Sequence, residues 1–178
     1  MRAIARSSHI PLRKYAAVLL SSFMSAGLAT GVLLAQDLPV EKVLPRELAV
    51  EAALGAMAAC EQQGYRVTVA VVDRAGLLRA LIRGDGAPPH TVDSSRRKAY
   101  TSASLRRPTL ELAQMVSENP GAAGLRDIND NILLLGGGLP IKAGDQVIGG
   151  IGVGGAPGGD KDEACAQAGI DKISPNLK

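Results

Sequence analysis

Residues 66–83 read RVTVAVVDRAGLLRALIR, and this stretch decides the fold. Arg66–Asp73 is β-branched and apolar, so it reads as a strand, and Leu77–Arg83 reads as a second. Between them Asp73-Arg74-Ala75-Gly76 has the composition of a hairpin turn. Upstream, Leu48, Ala52, Ala53, Ala56 and Met57 fall at helical spacing, which predicts a helix over Arg46–Gln62 stopped by Gly64. Downstream, Gly84-Asp85-Gly86-Ala87-Pro88-Pro89 breaks the chain. A helix is predicted from about Val92 to Leu105, with small residues Ala99, Ser102 and Ala103 that allow close approach to a neighbour. Arg107-Pro108 ends it, and Thr109 can cap a further helix to about Val116. Asn119–Asn131 reads as a polar connection. Strands are expected at Ile132–Leu135, Leu139–Lys142 and Gln146–Val153, then a glycine-rich loop over Gly154–Gly159. A terminal helix opens at Asp160 with acids in its first turn. The order α-β-β-α-α-β-β-β-α, with short links inside each strand group, predicts an α+β domain: one five-stranded antiparallel sheet with helices packed on it, mostly on one side.

The 178 residues suit one such domain preceded by a leader. Arg2, Arg6, Arg13 and Lys14 form a positive head without acids, and residues 16–35 are apolar or small. This is the pattern of a secretory signal peptide over 1–35, cleaved at Ala35-Gln36, although Leu33 spoils the small-x-small rule and an uncleaved anchor is the plainer alternative. A polar lead-in, 36–45, and a domain, 46–178, follow. The expected location is extracytoplasmic, with no membrane attachment after cleavage. Removing the four leader cations from 20 Lys+Arg leaves 16 against 17 Asp+Glu, so the basic balance lies in the leader and is no argument for nucleic-acid binding. Past residue 35 only Tyr65 and Tyr100 are aromatic, which argues against base stacking, and His90 is the lone histidine, too few for a multi-histidine zinc site. Cys60 and Cys165 are the only cysteines, and in an exported chain they are expected to pair, which requires the first and last helices to lie side by side.

Chemistry-bearing motifs are sparse. Gly150-x-Gly152-x-x-Gly155 matches a dinucleotide fingerprint, but the chain ends after one more helix and lacks the second parallel strand that such a site needs. The alternative is a strand against which another backbone or a ligand packs closely. Asp127 with Asp130, and Asp160 with Asp162, read as turn and helix-start acids. No nucleophile elbow or phosphate loop is present. One constellation stands out: Arg83, then His90 after a Gly/Pro loop, Thr91, and a helix carrying Arg96, Arg97, Lys98 and Thr101. An imidazole can ligate haem iron, and Arg and Lys can pair with carboxylates. A solvated loop histidine and an ordinary cationic helix face would look the same.

The run VTVAVVDRAGLLRALIRGDGAPPHTVDSSRRKAYTSAS, with GGGLPI and QVIGGIGVGGAPGGDKDEACAQAG, resembles the GlcG/HbpS family of haem-binding proteins, also called the haem-degrading domain family. The resemblance spans nearly all of the chain past the leader. It implies a profilin-like α+β fold, assembly into homo-oligomers and, in some members, haem. Iron ligation in the family varies between His and Thr, so His90, Thr91 and Thr101 are candidate ligands here, with Arg83, Arg97 and Lys98 as partners for the propionates. The scarcity of aromatics makes any haem site shallow. The expected function is haem or tetrapyrrole binding for scavenging, buffering or sensing, with slow oxidative breakdown as a by-product of bound iron and no dedicated catalytic residue. Two alternatives stay open: an enzyme or accessory subunit acting on a small organic acid held by Arg83, Arg97 and Lys98, and a ligand-free structural oligomer module.

Overall fold

A computed structural model describes residues 37–178; the leader and its cleavage point lie outside the described residues. Residues 40–178 form one unit. Its helices are α1 (Arg46–Gln62), α2 (His90–Leu105), α3 (Thr109–Glu118) and α4 (Gly159–Ile173). Its strands are β1 (Thr68–Asp73), β2 (Leu78–Arg83), β3 (Gly138–Ala143) and β4 (Gln146–Gly154). A 3₁₀ helix, Pro120–Arg126, follows α3 within the polar connection. Among the described residues no helix is long and apolar enough to cross a membrane.

The sheet is antiparallel throughout, in the order β2-β1-β4-β3. It has four strands rather than the five expected. The missing strand is Ile132–Leu135, which runs as an irregular segment outside the sheet. The apolar run reads as a strand locally, yet its backbone is held by α2 instead of a ladder. Leu133 N–H donates to Thr101 Oγ1 at 2.8 Å, and the Ile132 carbonyl accepts from Arg97 Nη2 at 2.7 Å. Helices cover both faces, which corrects the expectation of a one-sided layer.

Strand alternation sorts the core. Val69 and Val71 of β1 stand opposite Val153 and Ile151 of β4, and these four belong to the main core with α1 and α4. The other face of the same pairs carries Thr68, Ala70 and Val72 opposite Gly154, Gly152 and Gly150. Here α2 lies almost directly on the sheet: a Cβ at Gly150 would meet Ala99 O, and one at Gly152 would meet Ser95 O and, at 2.5 Å, Ala99 N. The fingerprint-like glycines thus accommodate a helix backbone. Cys60 of α1 and Cys165 of α4 are fully buried and form a disulfide with Cα atoms 5.5 Å apart, so the two helices do lie side by side.

Candidate functional site

Helix α2 starts at His90, two residues earlier than the sequence reading placed it, because Pro88 and Pro89 fix the approach and Thr91 N–H and Val92 N–H bond back to their carbonyls. His90, Ser94 and Lys98 are spaced four apart and form one stripe along this helix. The stripe lines an open cleft of about 450 Å³ together with Gly154, Gly155, Ala156, Gly158 and Gly159, which form its glycine-rich wall. Pro88 and Leu135 add apolar surface at the rim, and Asp162 lies at the floor. The volume falls in the roughly 300–1,000 Å³ range of small-molecule sites. The cleft thus brings together the two sequence features singled out separately, the histidine loop and the glycine-rich segment.

The predicted site residues separate into two groups. His90 is exposed on the cleft and Lys98 lines it. The remaining four are engaged elsewhere. Arg83 ends β2 and spends its guanidinium on the Ala87 carbonyl, Nε at 2.9 Å, which closes the Gly84–Ala87 turn. Arg97 holds the Ile132 carbonyl. Thr91 is buried, donates to the Pro88 carbonyl at 2.6 Å and accepts from Thr68 Oγ1 at 2.7 Å. Thr101 is buried and its hydroxyl donates to the Arg97 carbonyl at 2.7 Å while accepting from Leu133 N–H.

Lys98 itself is not a free cation. Its Nζ is 2.8 Å from Asp162 Oδ2 and 2.9 Å from the Val153 carbonyl, with its side chain 2% exposed. Each of Arg83, Arg97 and Lys98 is therefore committed to a protein acceptor, and only Lys98 reaches the cleft, so no three-cation carboxylate clamp is assembled.

Asp162 is the residue the sequence did not single out for chemistry. It sits in the first turn of α4, as a helix-start acid should, but it is buried and partnered with Lys98 rather than left to water. Its other oxygen accepts from Ala156 N–H at 2.9 Å. Burial pushes its carboxyl above the usual aspartate range, while Lys98 and the Ala156 N–H pull it back. Thr109 likewise departs from expectation. In place of capping α3, it donates to the Leu135 carbonyl at 2.7 Å and accepts from Gly138 N–H at 2.8 Å, fixing the strand entry beside the cleft. Among the described residues no group of three or more His, Cys, Asp or Glu is placed to hold a bare metal ion.

Comparison with known proteins identifies relatives of this chain. The family model for haem-degrading proteins like HbpS matches residues 44–171. Protein GlcG of Escherichia coli (strain K12) is 30% identical over 111 residues, 62% of this chain and 81% of GlcG. The crystal structure of a double mutant of Streptomyces reticuli HbpS is similar with a TM-score of 0.71 at 43% identity, over 80% of this chain and 97% of that one. The crystal structure of a PduOC–haem complex is similar with a TM-score of 0.68 at 27% identity, over 74% of this chain and 96% of that one.

Proposed function

The chain belongs to the family of HbpS-like haem-degrading proteins, and from that premise we propose that it is an extracytoplasmic protein that binds haem or a related tetrapyrrole for scavenging, buffering or sensing. The observation that carries the proposal is the cleft that the exposed His90 lines together with a wall of glycine and alanine. The residues fit haem in a shallow site. His90 offers an imidazole nitrogen as ligand, Pro88, Leu135 and Ala156 offer apolar contact, and the side-chain-poor Gly154–Gly159 segment lets a flat ring approach closely. With Arg83 and Arg97 engaged by the Ala87 and Ile132 carbonyls, neither would be held ready for the propionates of a bound haem. Bound iron would supply the redox chemistry, including slow peroxide-driven breakdown of the ring; the chain's own part is to hold and orient. Thr91 and Thr101 are spent on internal hydrogen bonds, which favours His90 as the iron ligand. The committed cations weigh against the organic-acid alternative.

Export is proposed on two grounds: the charged-then-apolar leader, and a disulfide suited to an oxidising compartment. Self-association is proposed from the family resemblance, and light scattering showing only monomer at micromolar concentration would refute it.

Haemin titration of the chain past residue 35, followed at the Soret band, tests the central reading. The parent should give a saturable shift. His90→Ala should lose the ferric ligand spectrum and bind at least about tenfold more weakly, a difference of about 1.4 kcal/mol. Arg97→Ala should leave affinity near that of the parent. No Soret shift in the parent, or equal binding by His90→Ala, overturns the reading.

A further inference from the structure

We propose that the buried Lys98–Asp162 pair is a positioning device that holds the glycine-rich wall of the cleft at a fixed distance from His90. The proposal rests on the haem reading of the cleft and deepens it.

The pair ties together four pieces of chain. Lys98 belongs to α2, two turns after His90; Asp162 belongs to the first turn of α4. Lys98 Nζ reaches Asp162 Oδ2 at 2.8 Å and the Val153 carbonyl, at the end of β4, at 2.9 Å. Asp162 Oδ1 takes the N–H of Ala156, in the middle of the wall, at 2.9 Å. Every contact except the first falls on the backbone that leads into or forms the Gly154–Gly159 segment.

That segment needs such a tie. It reads GGAPGG and carries almost no side-chain mass to lock it by packing. The ion pair is also a poor choice if stability were the only demand. Removing two charges from water costs several kcal/mol, and apolar replacements of similar volume commonly do as well or better. What a buried pair supplies and an apolar pair lacks is direction: hydrogen bonds to the Val153 carbonyl and the Ala156 N–H that set where the wall lies. The surroundings leave no slack. Gly137 has φ +116, and a Cβ there would lie 2.6 Å from Asp162 Cβ and 3.0 Å from Lys98 Nζ, so the pair is enclosed by a position closed to side chains. With their polar atoms engaged inside the protein, Lys98 and Asp162 act through the wall and are not themselves ligands.

The test uses Asp162→Asn and Lys98→Met, with Lys98→Arg as the charge-keeping control, each alone and combined with His90→Ala. Haemin affinity is measured well below each variant's melting temperature, and amide exchange is followed over Gly154–Gly159. The expected result for Asp162→Asn and Lys98→Met is wall amides that exchange at least about tenfold faster and a haemin affinity lowered by about tenfold. Because the pair acts by setting the wall against His90, that affinity loss should disappear in the His90→Ala background. Lys98→Arg should keep most of the affinity, and it supplies the comparison if Lys98→Met does not fold. Unchanged exchange and unchanged affinity in folded variants overturn the proposal. So does a loss of equal size in the presence and absence of His90, which marks a general effect on folding. If the parent gives no Soret shift, the haem reading fails, and exchange alone decides the tie: acceleration confined to the wall upholds it, and none overturns it.

Discussion

Gly152 shows how much a single missing atom can decide. Its Cα lies so near α2 that an added Cβ would meet Ser95 O and Ala99 N, both backbone atoms that cannot rotate away. Gly152→Ala should therefore destabilise the domain by about 1–3 kcal/mol, the cost of overpacking a tight interior, and chemical denaturation should show it as a lower midpoint at constant slope. A variant as stable as the parent would mean that α2 can lift off the sheet freely. Glu163, one residue after Asp162, offers a second test. Burial raises its carboxyl above the usual glutamate range; the Gly137 and Leu110 N–H groups and Lys98 offset this in part, while Glu111 adds to it. A raised acid favours the folded state at low pH, and that contribution is lost as pH rises through the folded value. Glu163→Gln should thus gain stability relative to the parent at neutral pH, by less than about 1 kcal/mol given its partial solvent screening. The gain should vanish near pH 4. Thermal melts across pH check both sign and window, and a gain that grows toward acid would contradict the assignment.

At the scale of elements, the segment Ile132–Leu135 is the instructive case. Its leucines predict a strand, and the structure makes it a strap on α2 instead. The determining group is Thr101, whose single hydroxyl serves the Arg97 carbonyl and Leu133 N–H together. Thr101→Val keeps the shape and removes the acceptor, leaving that N–H without a partner at a half-buried position. The expected cost is about 1–3 kcal/mol, with Leu133 exchanging its amide proton faster than the β1 and β4 amides. If Leu133 exchange is unaltered, the strap is held by its apolar side chains and not by this bond. Helix α2 carries the same lesson inward. Thr91, Ser95, Lys98, Thr101 and Ser102 are all buried on it alongside Ala99 and Ala103, so its buried surface is largely polar where an apolar stripe would be the usual signal.

For the whole molecule, the disulfide sets the largest single expectation. Cys60 and Cys165 are 105 residues apart in sequence and join the two helices that cover one face of the sheet. In the chain-entropy account, closing a loop of roughly 100 residues contributes about 4 to 5 kcal/mol, less any strain. Reduction, or Cys60→Ala with Cys165→Ala, should lower the melting temperature by many degrees. It should leave the cleft's ligand spectrum intact at low temperature, since the bond lies in the main core with α1 while the cleft opens beside α2. Survival of the parent melting temperature after complete reduction would remove the bond from the account of stability.

The sequence by itself determined the local elements. The hairpin at 66–83, the helix at Arg46–Gln62 and the β3–β4 pair follow from alternation, helical spacing and turn residues, which act over a few positions. It also determined the family, because the ordered motifs VVD-x-x-G, RRKAYT and IGVGGA span the domain. Tertiary structure decided everything that depends on which groups meet. It placed helices on both faces, left the Ile132–Leu135 run outside the sheet, and spent Arg83, Arg97, Thr91 and Thr101 on internal acceptors. It also turned Asp162 from an ordinary helix-start acid into the partner of Lys98, 64 residues away. The reason is physical: a buried polar group must find a partner wherever the fold provides one, and neither the identity of that partner nor its distance along the chain is encoded in the neighbouring residues.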